Sequence, residues 1–197
     1  MDKRLYIPLL MLPILVSCNE ANNATEDNHK ETDMLRPSIR ESHKQEMIIG
    51  LASVLHEEWR NNRLLPDGKY QPRLKTTTDN NWINSNNTDQ VDIANTAFTD
   101  LPMDWQEENF AASTVAMTEV FSAYERGVKL NTVFIEKASE KVHIEWLTRN
   151  SEWAQDNQKL PYAQLTEEEQ DKDRLQVLMA IEVFQKGLLS ATEDSEK

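Results

Sequence analysis

The feature that most limits the fold of this chain is a recurrence of apolar residues at three- and four-residue steps in four separate segments. The segments span about residues 39–62, 101–126, 132–149 and 166–187. Such spacing places apolar side chains along one face of an α-helix. The chain has 4 glycines among 197 residues, and good helix formers dominate these segments. The sequence therefore predicts a mainly α fold built from four amphipathic helices.

The apolar positions predict which face of each helix is buried. In chain order they are Met47, Leu51, Val54, Leu55 and Trp59; Phe110, Val115, Met117, Val120 and Phe121; Phe134, Ile135, Ala138, Val142 and Trp146; and Leu175, Leu178, Ile181 and Phe184. Pro102 suits a first helical turn, and Gly127 is a typical helix stop. Thr166 with Glu169 three residues later forms a capping box, and we expect this last helix to end at Gly187.

The same order of short patterns occurs twice. A His-x-Glu-Trp stretch, an aromatic-x-x-Leu stretch and a helix ending in Glu-Val-Phe follow one another in each half. The matched stretches are 56–59 with 143–146, 98–101 with 162–165, and 118–121 with 181–184. We interpret this order as a tandem duplication, about residues 44–126 and 132–187, giving two pseudo-symmetric helical pairs.

The first half contains a much longer connection between its two helices, from Trp59 to Phe98. A long insert in a compact domain is usually functional or ordered by structure of its own. Asp67-Gly68 is a strong turn signal, and the connection predicts either an irregular segment or a short hairpin near residues 70–78.

This insert begins with a cluster of cations and aromatic rings, which we call the basic-aromatic loop (residues 63–82). Its candidate ligand-binding residues are Arg63, Lys69, Tyr70, Arg73, Lys75 and Trp82. Because the chain as a whole has a net charge of −13, such a cluster suits a small anionic ligand or an acidic protein partner. The alternative is that these cations neutralise the acidic helices of the domain.

Two stretches carry a family resemblance. The second half reads Val142-His143-Ile144-Glu145-Trp146, then Leu160-Pro161-Tyr162-Ala163-Gln164-Leu165, with Glu168 and Asp173-Arg174 behind it. The first half keeps His56, Trp59, Arg63, Asp67-Gly68-Lys69-Tyr70 and Arg73. This combination resembles the RyR domain, the repeat found in ryanodine receptors and in many bacterial proteins. The resemblance covers about residues 44–187 and implies a mainly helical fold with short strands and a role in binding rather than catalysis.

The chain departs from the family pattern in both halves. The first half has Asn95-Thr96-Ala97-Phe98 in place of Leu-Pro-Tyr, and Asn109-Phe110 in place of Asp-Arg. The second half lacks the longer loop with glycine and lysine.

His56 with Trp59, and His143 with Trp146, lie three residues apart and share a helix face. One interpretation makes each pair face a ligand, with Arg63 or Arg149 as the cation. In the other, tryptophan packs in the core and histidine donates to a nearby carbonyl group. Repetition at equivalent positions favours the packing interpretation.

No motif in the chain points to catalysis. His56-Glu57-Glu58 lacks the second histidine of a zinc protease, and no serine-hydrolase elbow is present. Carboxylates such as Glu167 to Glu169 lie at helix starts, where they interact favourably with the helix dipole. We therefore expect no enzyme activity, no cofactor and no metal site.

The amino terminus predicts a bacterial lipoprotein. Lys3 and Arg4 precede a short apolar run that closes on Leu15-Val16-Ser17-Cys18, which resembles a lipobox. We therefore expect a signal peptide at residues 1–17 and lipidation of Cys18, the only cysteine of the chain. Residues 18–38 predict a disordered polar tether, 39–190 the tandem RyR-like domain, and 191–197 an acidic tail.

These features predict a protein of the bacterial cell envelope, held in a membrane by the lipid on Cys18. Asn19 stands where an aspartate retains enterobacterial lipoproteins in the inner membrane. We therefore expect the protein to lie in the outer membrane, on its periplasmic or surface face. An acidic chain is not expected to bind nucleic acid. The main hypothesis is a non-enzymatic binding module; the alternatives are a structural or assembly lipoprotein and an immunity protein against an envelope toxin.

Overall fold

The structure is a computed structural model that describes residues 39–152 and 154–194, with side chains described as far as residue 189. The predicted signal peptide, Cys18 and the predicted tether lie outside the described residues. In the described part the element order is α1 (Glu41–Asn61), β1 (Leu74–Thr76), α2 (Asn80–Asn86), β2 (Gln90–Asp92), α3 (Met103–Glu125), α4 (Thr132–Asn150) and α5 (Glu167–Asp194). Short 3-10 turns occur at Phe98–Asp100, Asp156–Gln158 and Tyr162–Gln164. The expected mainly α fold is confirmed.

The long helices α1, α3, α4 and α5 pack around one apolar core. α1 packs on α3, α4 packs on α5, and these pairs meet through contacts of α3 with α5, α1 with α5 and α3 with α4. Aromatic rings fill the centre, where the ring of Phe184 lies 5.9 Å from that of Phe121 and 5.1 Å from that of Tyr124. The helix contacts are symmetric: exchanging the labels α1 with α4 and α3 with α5 gives the same contacting pairs. The tandem duplication itself stays a prediction.

Local chemistry explains several helix ends. Asn131 caps α4, its side-chain oxygen accepting from the backbone N–H of Phe134 at 3.2 Å. Thr166 Oγ1 accepts from the N–H of Glu169 at 3.3 Å, as the capping pattern predicts. Gly127 follows α3 with a φ of 69°, which confirms the expected glycine stop.

The expected end of the last helix at Gly187 is wrong, because α5 continues to Asp194. Gly187 lies where α5 passes close to α1, and a Cβ there would lie 2.7 Å from Met47 Cε. The missing side chain therefore makes room for Met47 and does not terminate the helix.

The predicted buried face of this helix is also partly wrong. Leu175 and Leu178 are 37% and 48% exposed, whereas Val177 and Ala180 are fully buried together with Phe184. Residues 173, 177, 180 and 184 form a second stripe with the same helical spacing, which begins with the polar residue Asp173. Periodicity alone cannot distinguish two overlapping stripes, and Asp173 made the correct stripe look too polar. Val54 of α1 was misplaced in the same way and is 42% exposed.

The insert between α1 and α3 has a smaller core of its own. Ala52, Val91, Ile93, Phe98 and Leu101 form it, with Trp59, Trp82, Trp105 and Phe110 packed against it. Leu64 pairs with Tyr70 across the turn at Gly68, whose φ is 81°. We call residues 63–71 the tip hairpin.

The expected hairpin at residues 70–78 is therefore wrong. β1 instead pairs antiparallel with β2, Leu74 opposite Asp92, and α2 lies between the two strands. Pro72 has no backbone N–H to donate, and the Asp67-Gly68 turn already closes an earlier pairing, so β1 pairs with a later segment.

None of the helices among residues 39–152 and 154–194 has the length and apolar character needed to cross a membrane.

Candidate functional site

The basic-aromatic loop begins directly after α1, and two arginines at this junction cover aromatic rings. The Arg63 guanidinium carbon lies 5.1 Å from the centroid of the Trp59 ring, and Arg63 Nε donates to the carbonyl of Gln71 at 3.3 Å. The Arg60 guanidinium carbon lies 4.5 Å from the centroid of Tyr70. Stacking of this kind orients a guanidinium and holds it near the surface.

Arg60 was not among the predicted site residues, and its contacts are internal. Arg60 Nε donates to the buried carbonyl of Ala94 at 2.8 Å, and Nη1 donates to both oxygens of Glu57 at 2.8 Å. Its place one turn after His56 on the same helix was the available sequence signal. Arg60 therefore attaches the end of α1 to the segment that follows β2.

The second half of the loop packs on α3. Lys75 Nζ lies 5.5 Å from the centroid of the Trp105 ring, and Trp105 Nε1 donates to the carbonyl of Thr76 at 3.2 Å. The side chain of Trp82 packs against the smaller core, and its Nε1 is buried without a hydrogen-bond acceptor among the described residues. Trp82 and Trp105 thus pack the loop against the smaller core.

A network of carboxylates holds the strands of the insert. Asp104, in the first turn of α3, accepts from the hydroxyl groups of Thr77 and Thr78 and from the backbone N–H of Thr78. Asp92 accepts from the backbone N–H of Arg73 at 2.9 Å. Burial opposes ionisation of Asp92, but hydrogen bonds from Arg73, Asn95 and Ala94 lower its pKa overall. Backbone N–H and hydroxyl groups are thus the hydrogen-bond donors to these carboxylates near the loop.

The cations at the surface of the loop are different. Within the described residues, Arg63, Lys69 and Arg73 form no ion pair with any carboxylate, although Arg63 keeps its bond to a carbonyl. Other cations do pair: Lys44 with Glu125, Lys141 with Glu145 and Arg174 with Glu136. Burial lowers the pKa of Lys75, and the charge of Arg73 lowers it further. The loop thus concentrates positive charge on an acidic protein.

The two His–Trp pairs have closely similar surroundings. His56 Nε2 lies 3.0 Å from the carbonyl oxygen of Thr96, and the His56 ring stacks on Trp59 at 5.8 Å between centroids. His143 Nε2 lies 2.9 Å from the carbonyl oxygen of Leu160, and its ring stacks on Trp146 at 6.4 Å. Both histidines are buried, and burial lowers the pKa of His56. Because each Nε2 meets a carbonyl, it carries the proton and donates.

The pairs differ in their arginines. Arg149, which could have served a ligand beside Trp146, donates through Nη1 to the carbonyl of Glu145 and through Nε to Glu108 at 3.4 Å. Arg63 is bound to a single carbonyl and lies over Trp59. The geometry at His143 and Trp146 is therefore that of packing, and the surface cation remains in the first half.

His143 has one further partner that the sequence did not indicate. Its Nδ1 lies 3.4 Å from Oδ2 of Asp173, which is buried in α5. Burial, reinforced by the charge of Glu169, raises the pKa of Asp173 to about 7. In the predicted repeat alignment the first half has Asn109 in place of this acid. The Asp173-Arg174 pair was noticed only through the family resemblance, because the charged residues beside it, Asp171, Lys172 and Arg174, made burial of Asp173 unexpected.

The described residues contain no group of three or more histidine, cysteine, aspartate or glutamate side chains arranged to hold a metal ion. No family model, curated protein or solved structure matches the chain.

Proposed function

We propose that this protein is a lipoprotein of the bacterial cell envelope, anchored through Cys18, whose non-enzymatic RyR-like domain binds an anionic partner at the basic-aromatic loop. The observation that carries the proposal is the set of cations Arg63, Lys69 and Arg73, which have no carboxylate partner among the described residues. In a chain with 34 acidic against 21 basic residues, carboxylates are abundant, so three cations of one loop without a carboxylate partner among the described residues are available for an external anion.

The fold supports a binding role. Arg63 is oriented by stacking on Trp59, which lowers the conformational entropy that binding would otherwise remove. The loop rests on its own core and on Trp105, so its cations are held on a fixed base. The mainly helical fold with two short strands agrees with what the RyR resemblance implies, and that family assignment is part of the proposal.

The loop is tested by replacing Arg63, Lys69 and Arg73 together with alanine. We expect the triple variant to lose the partner that the wild-type protein recovers from an envelope extract, with a weakened salt dependence. The matched control replaces Arg126, Lys129 and Lys137, three exposed cations outside the loop, and should bind like the wild type. Equal binding by both triple variants would reject the loop as the site.

The anchor is tested separately by Cys18→Ala, because the thiol is the point of acylation in the proposal. The substitution should move the protein from the membrane fraction to the soluble fraction, since each buried methylene of an acyl chain contributes about 0.8 kcal/mol to membrane attachment. A variant that stays with the membrane after a carbonate wash would contradict the assignment.

A structural or assembly lipoprotein is the second candidate, and one observation favours it. Arg60, Lys75 and Trp82 are occupied by internal contacts with Ala94, Trp105 and the smaller core. If the whole loop serves the fold, the triple variant of Arg63, Lys69 and Arg73 should lose thermal stability. An unchanged melting temperature would reject this candidate.

A further inference from the structure

The tip hairpin and the strand after it expose leucines beside the unpaired cations. Leu64 is 53% exposed, Leu65 is 40% exposed, and Leu74 in β1 is 64% exposed. Residues 63–75 also carry four cations against one carboxylate, that of Asp67. Exposed apolar side chains next to lysine and arginine are typical of segments that lie in a membrane interface.

Exposed leucines also occur on α5, next to acidic side chains. Leu175 and Leu178 are also exposed, but Asp171 and Glu182 continue the same helical row on either side. An anionic surface would repel that row. Charge complementarity thus distinguishes the tip hairpin from the exposed leucines of α5.

An acidic protein would need only the cations, whereas a bilayer accommodates both the cations and the leucines. Anionic phospholipid attracts basic side chains near its surface, and the interface accepts apolar side chains. The high overall acidity does not prevent this contact, because screening limits the repulsion from charges more than about 10 Å away at 0.1 M salt.

The length of the chain permits the hairpin to reach the bilayer. α1 has 21 residues and is therefore about 31 Å long, with the tip hairpin following its C-terminal end. The residues between Cys18 and Glu41 could span about 70 Å when extended. The chain can therefore let α1 lie along a membrane that holds the lipid on Cys18, and a tethered surface needs little intrinsic affinity.

We propose that the tip hairpin and Leu74 form a membrane-contact surface that binds anionic phospholipid in the bilayer that anchors the protein. This inference rests on the lipid anchor of the proposed function and names the partner of the same loop. The anchored domain then lies against the membrane at the tip hairpin. Its net charge of −13 would by itself favour separation from an anionic bilayer.

The test uses the mature lipidated protein in vesicles of phosphatidylcholine, with or without phosphatidylglycerol. Because Cys18 is the only natural cysteine and is acylated in the proposal, Leu65→Cys supplies a single free thiol for an environment-sensitive fluorophore. We expect a blue shift, and quenching by spin-labelled lipid, only with phosphatidylglycerol, and reversal of both by salt. The same label at Leu178→Cys should stay in water.

Replacing Arg63, Lys69 and Arg73 with glutamine should weaken the contact roughly 100-fold, about fivefold for each cation. Vesicles that carry the protein while the label at residue 65 stays in water would overturn this inference and leave the anchor intact. Burial of the label only after an acidic envelope protein is added would overturn it in favour of a protein partner. Failure of the protein to float with vesicles would instead overturn the anchor, and this inference with it.

Discussion

Replacing Asp173 with asparagine removes a carboxyl group that the folded protein keeps protonated up to about pH 7. The pKa of this group is about 7 in the folded state, because burial between α4 and α5 disfavours the charged form and Glu169 adds a repelling charge. In the unfolded chain the group returns to its ordinary pKa of 3.8. Between these two values the folded state binds one proton more than the unfolded state at this residue.

The sign of the effect follows from that difference. Stability falls as pH rises wherever the folded state binds more protons, so the Asp173 contribution declines from about pH 4 to about pH 7 and is constant above. A pKa difference of about three units corresponds to an upper limit of about 4 kcal/mol, at 1.36 kcal/mol per unit. Asparagine has no such titration, so Asp173→Asn should gain stability relative to the wild type as pH rises.

Urea denaturation followed by circular dichroism, at about pH 5 and about pH 8, measures this difference. Asp171→Asn is the matched control, because Asp171 is an exposed acid on the same helix and its ion pair with Arg174 contributes little. Glu169→Gln should reduce the pH dependence in part, since the charge of Glu169 is the second cause of the shift. The same change in unfolding free energy with pH in Asp173→Asn and in the wild type would show that the pKa of Asp173 is not raised in the folded state.

Two further predictions concern stability. Phe184→Ala should lower the free energy of unfolding by about 4 kcal/mol in urea denaturation, because Phe184 is fully buried and its ring contacts Phe121 and Tyr124; a loss below about 2 kcal/mol would contradict this packing. Arg60→Ala should lower the free energy of unfolding by about 2 kcal/mol, because it leaves the buried carbonyl of Ala94 without its donor. If its melting temperature falls no more than that of the Arg126, Lys129 and Lys137 triple variant, Arg60 has no internal role.

The candidate site was partly predictable from sequence. The clustering of Arg63, Lys69 and Arg73 is visible along the chain, since the three lie within eleven residues of one another. Their lack of carboxylate partners is not visible, because it depends on which acids the fold brings close. Arg60 and Trp105 were missed for the same reason: their partners, Ala94 and Lys75, are about thirty residues away in the chain.

Local sequence accounts for the features that arise within a few residues: the mainly α fold, the cap at Thr166, the stop at Gly127 and the turn at Asp67-Gly68. These depend on helical periodicity and on hydrogen bonds between near neighbours, so the tertiary structure does not change them. Tertiary structure decided the pairing of β1 with β2, the stripe of α5 that is buried and the continuation of α5 past Gly187. Each of these choices depends on the shape and polarity of a distant partner, such as Met47 for Gly187 and His143 for Asp173.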